Sequence, residues 1–241
     1  MSTMSDVELQ DVFHTFILVD VSPGMADKPL AQVNALVPEI LDRLCRLGQE
    51  CDFMPLVHIL SFSDHVTWLY GTTATHGVDA NRIVWSNIHA SGHGQHLSGA
   101  LEALLEGLSR RHLGHRSPIP YVLLLTDGPG NDAPASQAAF GQLMKKCKTF
   151  RIAVCPDSVA PEELSGFVSI RHAQARSAPG DIAGITAQPM LFRLGQTGPL
   201  LEVLDDVRQC FRRPSIPLPF AEPSDGDDDA SIVIGNSPEW I

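Results

Sequence analysis

Short apolar runs alternate with amphipathic helical patterns along most of this 241-residue chain. The runs are rich in β-branched and aromatic residues, and they are too short to cross a membrane. Between them, apolar residues recur at helical spacing, as in the stretch from Leu30 to Leu47. Strands that alternate with helices form a mostly parallel sheet, so the pattern predicts an α/β domain. The six predicted strands are Phe13–Asp20, Phe53–Phe62, Val66–Tyr70, Ile119–Thr126, Phe150–Cys155 and Met190–Leu194.

Helical patterns fill the segments between these strands. Pro38 lies inside the first of them, where a proline removes a backbone donor, so we expect a kink there. Residues 166–188 have no clear period, and we expect one further helix within them. The other predicted helices are Leu97–Leu108, Ser136–Lys148, Pro161–Phe167 and Pro199–Phe211.

Composition divides the chain into a folded body and two flanking segments. An apolar content of 44% can fill one sizeable core. We expect a flexible N-terminus at residues 1–12, one domain at residues 13–212 and a Pro-rich acidic tail at residues 213–241. The tail has too little apolar surface to order itself alone.

Charge and cysteine content restrict the partners and the compartment. The chain has 28 acidic and 17 basic residues, with a net charge of -11. This balance argues against nucleic acid and anionic membrane surfaces, which bind clustered Lys and Arg. The five cysteines show no CxxC spacing, and residues 1–10 lack a secretory signal pattern. We therefore expect a cytoplasmic protein with reduced thiols.

Acidic residues close two of the predicted strands. Asp20 ends the first strand and is followed by Val21 and Ser22, and Asp127 directly follows the strand that ends at Thr126. The carboxyl ends of parallel strands lie at one edge of a sheet, so these side chains are expected to converge if the strands are neighbours. Carboxylate and hydroxyl oxygens are ligands that Mg²⁺ or Mn²⁺ prefers.

These residues resemble the metal-ion-dependent adhesion site (MIDAS) of von Willebrand factor A (VWA) domains, which is written Asp-x-Ser-x-Ser, a loop Thr and a Thr-Asp-Gly aspartate. The stretch from Leu125 to Asp132 is most similar to the bacterial VWA proteins of tellurite-resistance operons. The resemblance covers roughly Phe13 to Arg212. It implies a Rossmann-like open, mostly parallel six-stranded sheet flanked by helices, in the order 3-2-1-4-5-6 with one antiparallel edge strand.

Two of the five groups of the MIDAS pattern are missing. Asp20, Ser22 and Asp127 match it, but Gly24 stands at the second serine and Gln95 lies near the loop threonine. The resemblance therefore implies a degenerate site that holds Mg²⁺ or Mn²⁺ through three side chains, if it holds a cation at all.

The loop before the second helix suggests a different site. His89, His93 and His96 could bind zinc, or His93 and His96 could join Asp20 and Asp127 in a metal-dependent enzyme. A polar loop that faces a partner explains the same histidines, because no cysteine and no His-Glu-x-x-His frame accompanies them. The chain also lacks a phosphate-binding loop and a G-x-S-x-G nucleophile elbow.

The C-terminal tail ends in apolar residues that a solubilising segment does not need. They suit a peptide that adds a strand to a partner and fills its pockets, or that docks on this chain or another copy of it. The alternative is a merely solvating acidic end. The candidate docking residues are Ile232, Val233, Ile234, Trp240 and Ile241.

The sequence as a whole favours a non-catalytic adaptor. Its partner would bind the edge formed by Ser91, His93, Gln95 and His96 beside the two aspartates. The resemblance implies a bacterial stress-response or antiviral (phage-defence) system. In such systems, related proteins are encoded beside a protein kinase and a PP2C-like phosphatase.

Overall fold

A mixed β-sheet with helices packed against it forms the centre of the molecule. The computed structural model describes residues 11–71, 77–109, 118–174 and 185–211. Seven strands in this part form the main sheet, and two more form a separate hairpin. The strands are β1 (Asp11–Asp20), β2 (Phe53–Phe62), β3 (Val66–Tyr70), β4 (Val78–Asp79), β5 (Tyr121–Leu125), β6 (Phe150–Cys155), β7 (Ile170–Gln174), β8 (Ile185–Pro189) and β9 (Leu191–Arg193).

Helices connect most of the parallel strands, as the alternating pattern predicts. Two short 3-10 helices, Pro23–Met25 and Ala80–Arg82, follow β1 and β4. No helix in the described ranges is both long enough and apolar enough to span a membrane. The α-helices are α1 (Lys28–Cys51), α2 (Leu97–Ser109), α3 (Ala133–Lys146), α4 (Pro161–Leu164), α5 (Thr197–Leu204) and α6 (Val207–Phe211).

The order of the strands confirms the expected topology. The main sheet runs β3-β2-β1-β5-β6-β9, which is the order 3-2-1-4-5-6 when these six strands are numbered along the chain. β1 pairs in parallel with both β2 and β5, and β3 is the antiparallel edge strand. The two-residue strand β4, which was not predicted, also pairs with β2. The strand order therefore reverses beside β1, where open α/β sheets form binding crevices.

The central strands are buried because helices cover both faces of the sheet. In β1 every residue from Phe13 to Asp20 is buried, which matches its nearly continuous apolar sequence. The apolar stripe of α1 packs on one face, and Leu30, Val33 and Leu44 are among its buried residues. α1 runs from Lys28 to Cys51 with Pro38 inside it. The helix therefore continues through the proline.

Residues 166–188 differ from the sequence prediction where the structure describes them. We expected one helix within this range, but residues 170–174 and 185–189 form the antiparallel hairpin of β7 and β8, in which Ile170 pairs with Pro189, and residues 175–184 lie outside the described part. Backbone bonds join the hairpin to the main sheet, since Ser169 donates to the Arg151 carbonyl and Ala153 donates to the Met190 carbonyl, each at 2.9 Å. This pairing joins segments that are distant in sequence, and a short-range apolar period cannot report it.

The last predicted helix is also different in the structure. It is divided into α5, which ends at Leu204, and α6, which begins at Val207. The five cysteines are free, in agreement with the expected reduced thiols. The predicted tail, residues 213–241, and most of the predicted N-terminus lie outside the described residues.

Candidate functional site

Asp20 and Asp127 meet at one rim of the sheet, as the sequence predicts. β1 and β5 are neighbours in parallel register, with Val19 opposite Leu125. The next residue on each strand, Asp20 and Thr126, therefore lies at the same edge, and Asp127 follows directly. We call this edge, with the loops that surround it, the carboxylate rim.

Asp20 is a buried carboxylate with three hydrogen-bond donors. Its side chain is fully buried. The backbone N–H of Ser22 donates to Oδ1 at 2.8 Å, and the hydroxyl of Thr126 donates to Oδ2 at 2.7 Å. The side-chain amide of Gln95 also donates to Oδ2. A buried carboxylate needs such donors, because burial removes the water that would otherwise stabilise its charge.

The Gln95 amide lies at the centre of the carboxylate rim. Its Nε2 atom is 2.8 Å from the Thr126 hydroxyl, 2.9 Å from Oδ1 of Asp127 and 3.4 Å from the Gly128 carbonyl oxygen. The side chain is buried, and its own backbone carbonyl accepts a bond of 2.9 Å from Asn131 N–H. Gln95 therefore ties the His-rich loop to the ends of both β1 and β5.

Asp127 is half-buried and lies in contact with Asp20. Burial, the charge of Asp20 and a hydrogen bond with Asp20 raise the pKa of Asp127 to about 6. The Asp127 carboxylate lies close to Gly24. A Cβ atom added at Gly24 would be only 1.8 Å from Asp127 Oδ2. A side chain at position 24 cannot coexist with Asp127 as it is placed here.

The observed arrangement does not fit a divalent cation. Mg²⁺ binds oxygen ligands at about 2.0–2.1 Å, whereas the Thr126 and Asp127 oxygens lie at hydrogen-bond distances from a nitrogen that already fills the centre. Among the described residues, no group of three or more His, Cys, Asp or Glu side chains is placed to hold a metal. The binding of Mg²⁺ or Mn²⁺ thus stays a prediction of the resemblance.

Ser22 holds the turn after β1 through its backbone rather than through its side chain. It precedes the 3-10 helix Pro23–Met25, but its side chain makes no capping bond there. Its backbone N–H instead binds Asp20, which holds the turn after β1 against the rim.

The His-rich loop presents its side chains to the outside of the rim. Ser91, His89, His93 and His96 are exposed. The loop backbone is held, since Ser91 N–H donates to the Val21 carbonyl at 2.7 Å and His96 N–H donates to the Ser63 carbonyl at 2.9 Å. These histidines belong to no metal-binding group within the residues that the structure covers. The predicted docking residues Ile232, Val233, Ile234, Trp240 and Ile241 lie outside that part.

Asp64 supports the same loop from the turn between β2 and β3. Its Oδ2 accepts a bond of 2.7 Å from the backbone N–H of His93. This bond is the main reason that the pKa of Asp64 lies below its usual range. Gly92 has a φ of 81°, and an added Cβ there would lie 2.5 Å from the Ser63 hydroxyl oxygen. The glycine is therefore required both by its backbone conformation and by the close approach of this turn.

Sequence reasoning assigned no role to Thr126, Asp64 or Asp132. Thr126 is fully buried, and its hydroxyl accepts from Gly128 N–H at 3.2 Å besides binding Asp20. The Thr-Asp-Gly pattern contained this residue, but the pattern alone does not say that its hydroxyl faces Asp20. Only the parallel pairing of β1 with β5 brings the two together.

Asp132 joins the first turns of α2 and α3. One oxygen accepts from the Ser98 backbone N–H at 3.1 Å and from the Ser98 hydroxyl, and the other accepts from the Ser136 hydroxyl at 2.7 Å. Burial alone would raise the pKa of Asp132, but the bonds from Ser98 and Ser136 outweigh it and hold the pKa below its usual range.

We expect Asp132→Ala to lower the free energy of unfolding by about 2–3 kcal/mol, because it leaves Ser98 and Ser136 without their shared charged acceptor. Denaturant unfolding measures the change. The exposed Asp157→Ala is the matched control and should shift stability by less than about 0.5 kcal/mol. Equal losses in the two variants would contradict this role for Asp132.

Comparisons with known proteins show likeness only at the level of structure. No protein-family model and no curated protein sequence matches the chain. The similar solved structures include proximal thread matrix protein 1 from the mussel byssus, with a TM-score of 0.55 and 16% identity over 83% of this chain and 48% of that chain. A structure of the same mussel protein with a zinc-occupied MIDAS motif gives 0.54 and 15% over 83% and 48%.

This chain spans about half of the length of the mussel protein, and so low an identity reveals the fold rather than the ligand. The strand order and the antiparallel edge strand of this chain agree with those that the resemblance to VWA domains implies. The chain therefore has the von Willebrand factor A-type α/β fold.

Proposed function

We propose that this chain is a non-catalytic protein-interaction module that binds its partner at the carboxylate rim. The observation that carries the proposal is the contrast between the two layers of the rim. Asp20, Gln95 and Thr126 are buried and bonded to one another, while Ser91, His93 and His96 above them are exposed. A fixed base below exposed side chains is suited to recognition, because little order is lost when a partner binds.

The VWA-type fold supports interaction or adhesion as the general role. The carboxylate rim lies where the strand order reverses, and ligands of open α/β sheets bind at that point. This position supports the rim as the partner-binding surface. A catalytic role would need a nucleophile or a pair of groups with access to substrate. Asp20 is fully buried, and all three donors that surround it already serve to hold its charge.

The resemblance supports a more specific proposal, which is a cytoplasmic adaptor in bacterial stress-response or antiviral phosphosignalling. The partners would be a protein kinase or a PP2C-like phosphatase. We also propose that the acidic tail contributes to docking through Ile232–Ile234 and Trp240–Ile241, with its carboxylates attracted to a basic surface.

The rim proposal can be tested by affinity purification of the tagged full-length protein from its native cells, with quantitative mass spectrometry. We expect the double variant His93→Ala, His96→Ala to retain at least about tenfold less partner, as for residues at the centre of an interface. The matched control is Lys145→Ala, Lys146→Ala, which changes two exposed residues at the far end of α3. Equal retention of partner by the two double variants would refute the rim as the binding surface.

Deletion of residues 224–241 tests the tail separately. We expect the truncated protein to retain less of the same partner while keeping the melting temperature of the full chain. Unchanged retention would remove the tail from the proposal and leave the rim intact.

A further inference from the structure

The nitrogen of the Gln95 side chain is surrounded by oxygen atoms. It donates to Asp20 Oδ2 and lies 2.8 Å from Thr126 Oγ1, 2.9 Å from Asp127 Oδ1 and 3.4 Å from the Gly128 carbonyl oxygen. Two of these neighbours belong to carboxyl groups and one to a carbonyl, and all of these are acceptors. The two N–H groups of the amide can donate to the two carboxyl groups, whereas an amide oxygen in the same place would be repelled by both of them.

This amide donates to both carboxyl groups at the point where the two groups contact each other. Asp20 is fully buried and in contact with Asp127, and like charges in such a position repel strongly unless a positive group lies between them. The N–H groups of Gln95 carry partial positive charge and reach both side chains. They therefore take over the role that a cation would have at the same point.

Gly24, which stands in place of the second serine of the MIDAS pattern, also favours the hydrogen bond between Gln95 and Asp127. A serine at position 24 would place its Cβ atom 1.8 Å from Asp127 Oδ2 and 3.0 Å from Asp127 Cγ. Gly24 leaves this space to the carboxylate, which turns towards Gln95 and accepts its hydrogen bond. The missing serine and the missing threonine are thus parts of one arrangement rather than two separate losses.

We propose that the Gln95 amide is a built-in substitute for the cation, so that the carboxylate rim is assembled without a metal ion. This inference concerns the protein alone and does not rest on the identity of a partner. Its experiment uses no partner either, so its failure is distinguishable from the failure of the proposed function.

Gln95→Glu is the sharpest test, because it exchanges only the NH₂ group for an oxygen. A third acceptor would then stand between Asp20 and Asp127, with no donor to hold them. We expect the metal-free variant to melt about 5–10 °C below the wild type, because it loses the buried hydrogen bonds that the amide donates to the two carboxyl groups. MnCl₂ should restore most of the lost melting temperature, since three carboxylates now surround a site for a cation.

The melting temperatures of the wild type in EDTA and in 1 mM MnCl₂ should differ by no more than about 1 °C. Calorimetry and water-proton relaxation should show no Mn²⁺ binding by the wild type. The matched control is Gln137→Glu, an exposed change on α3 that should respond to neither condition. If Gln95→Glu does not fold, Gln95→Thr replaces it, because that variant removes the amide, adds a hydroxyl and should also gain Mn²⁺ binding.

Stoichiometric Mn²⁺ binding by the wild type, with stabilisation, would overturn the proposal. So would a folded Gln95→Glu variant that gains no Mn²⁺ binding, since position 95 would then not be the place of the cation.

Discussion

Gly24→Ser is expected to destabilise the protein by about 2–3 kcal/mol, even though it restores a residue of the MIDAS pattern. The added Cβ atom would lie 1.8 Å from Asp127 Oδ2, so the Asp127 side chain must rotate away. Rotation breaks its 2.9 Å bond from the Gln95 amide and leaves that donor without one of its partners. The backbone is not the cause, because Gly24 is not among the glycines with positive φ.

Denaturant unfolding of the full chain measures this loss, and thermal melting should show a fall of about 4–12 °C. The control is Gly141→Ser on α3, where an added Cβ meets nothing within 4 Å. That variant should be as stable as the wild type or slightly more stable, because serine favours a helix more than glycine does.

A double-mutant cycle identifies the cause of the loss. In an Asp127→Ala background the collision is gone, so Gly24→Ser should cost less than about 0.5 kcal/mol there. If the serine costs the same with and without the Asp127 carboxylate, the close approach of these two residues is not the reason for the glycine.

A second large effect is expected from acid, at a site away from the rim. The protein should lose about 2–3 kcal/mol of stability between pH 7 and pH 4.5 through His58 alone. This ring is buried on β2, stacked on Phe16 with centroids 4.2 Å apart and placed edge-on to Trp68 at 6.5 Å. Its Nε2 is 3.2 Å from Nδ1 of His14.

The sign follows from which state binds the proton. Burial, and then the charge of His14, lowers the pKa of His58 from 6.5 to about 3 in the folded protein. Below pH 6.5 the unfolded chain binds a proton at His58 that the folded chain does not bind. Stability is therefore full above pH 6.5 and falls as the pH falls towards 3, where the folded form also becomes protonated.

His58→Phe separates this effect from the carboxylates that also titrate in acid. The variant keeps a flat ring against Phe16 but cannot bind a proton. Its stability relative to the wild type should improve by about 2–3 kcal/mol between pH 7 and pH 4.5, measured as urea unfolding at each pH. His65→Phe, at an exposed position, is the matched control and should show no such trend. A difference between wild type and His58→Phe that stays constant with pH would contradict a depressed pKa at His58.

Patterns within single segments were sufficient for the α/β class and for six strands of the main sheet, whereas the strand order was implied only by the resemblance to VWA domains. The nearly continuous apolar sequence of Phe13–Asp20 predicts a strand covered on both faces, and the structure has it as the centre of the sheet. The bounds of β2, β3 and β6 agree with prediction because each run ends at polar turn residues. The meeting of Asp20 and Asp127 was also predicted, since neighbouring parallel strands place their carboxyl ends at one edge.

The hairpin of β7 and β8 shows where such patterns end. Residues 170–174 pair with residues 185–189. Backbone hydrogen bonds of Ser169 and Met190 join both strands to β6. No apolar period within either segment distinguishes this pairing from a short helix. The competing interaction is a contact between distant parts of the chain, which local propensity does not contain.

The sequence alone predicts an α/β sheet with two aspartates at one rim, because apolar periodicity and strand ends are local properties of the chain. Only the tertiary structure decided what lies between those aspartates. The Gln95 nitrogen, the Thr126 hydroxyl and the space at Gly24 come from three separate segments, and their placement depends on strand register and side-chain packing. The sequence shows a glutamine in place of a threonine, and the fold turns its amide into the centre of the site.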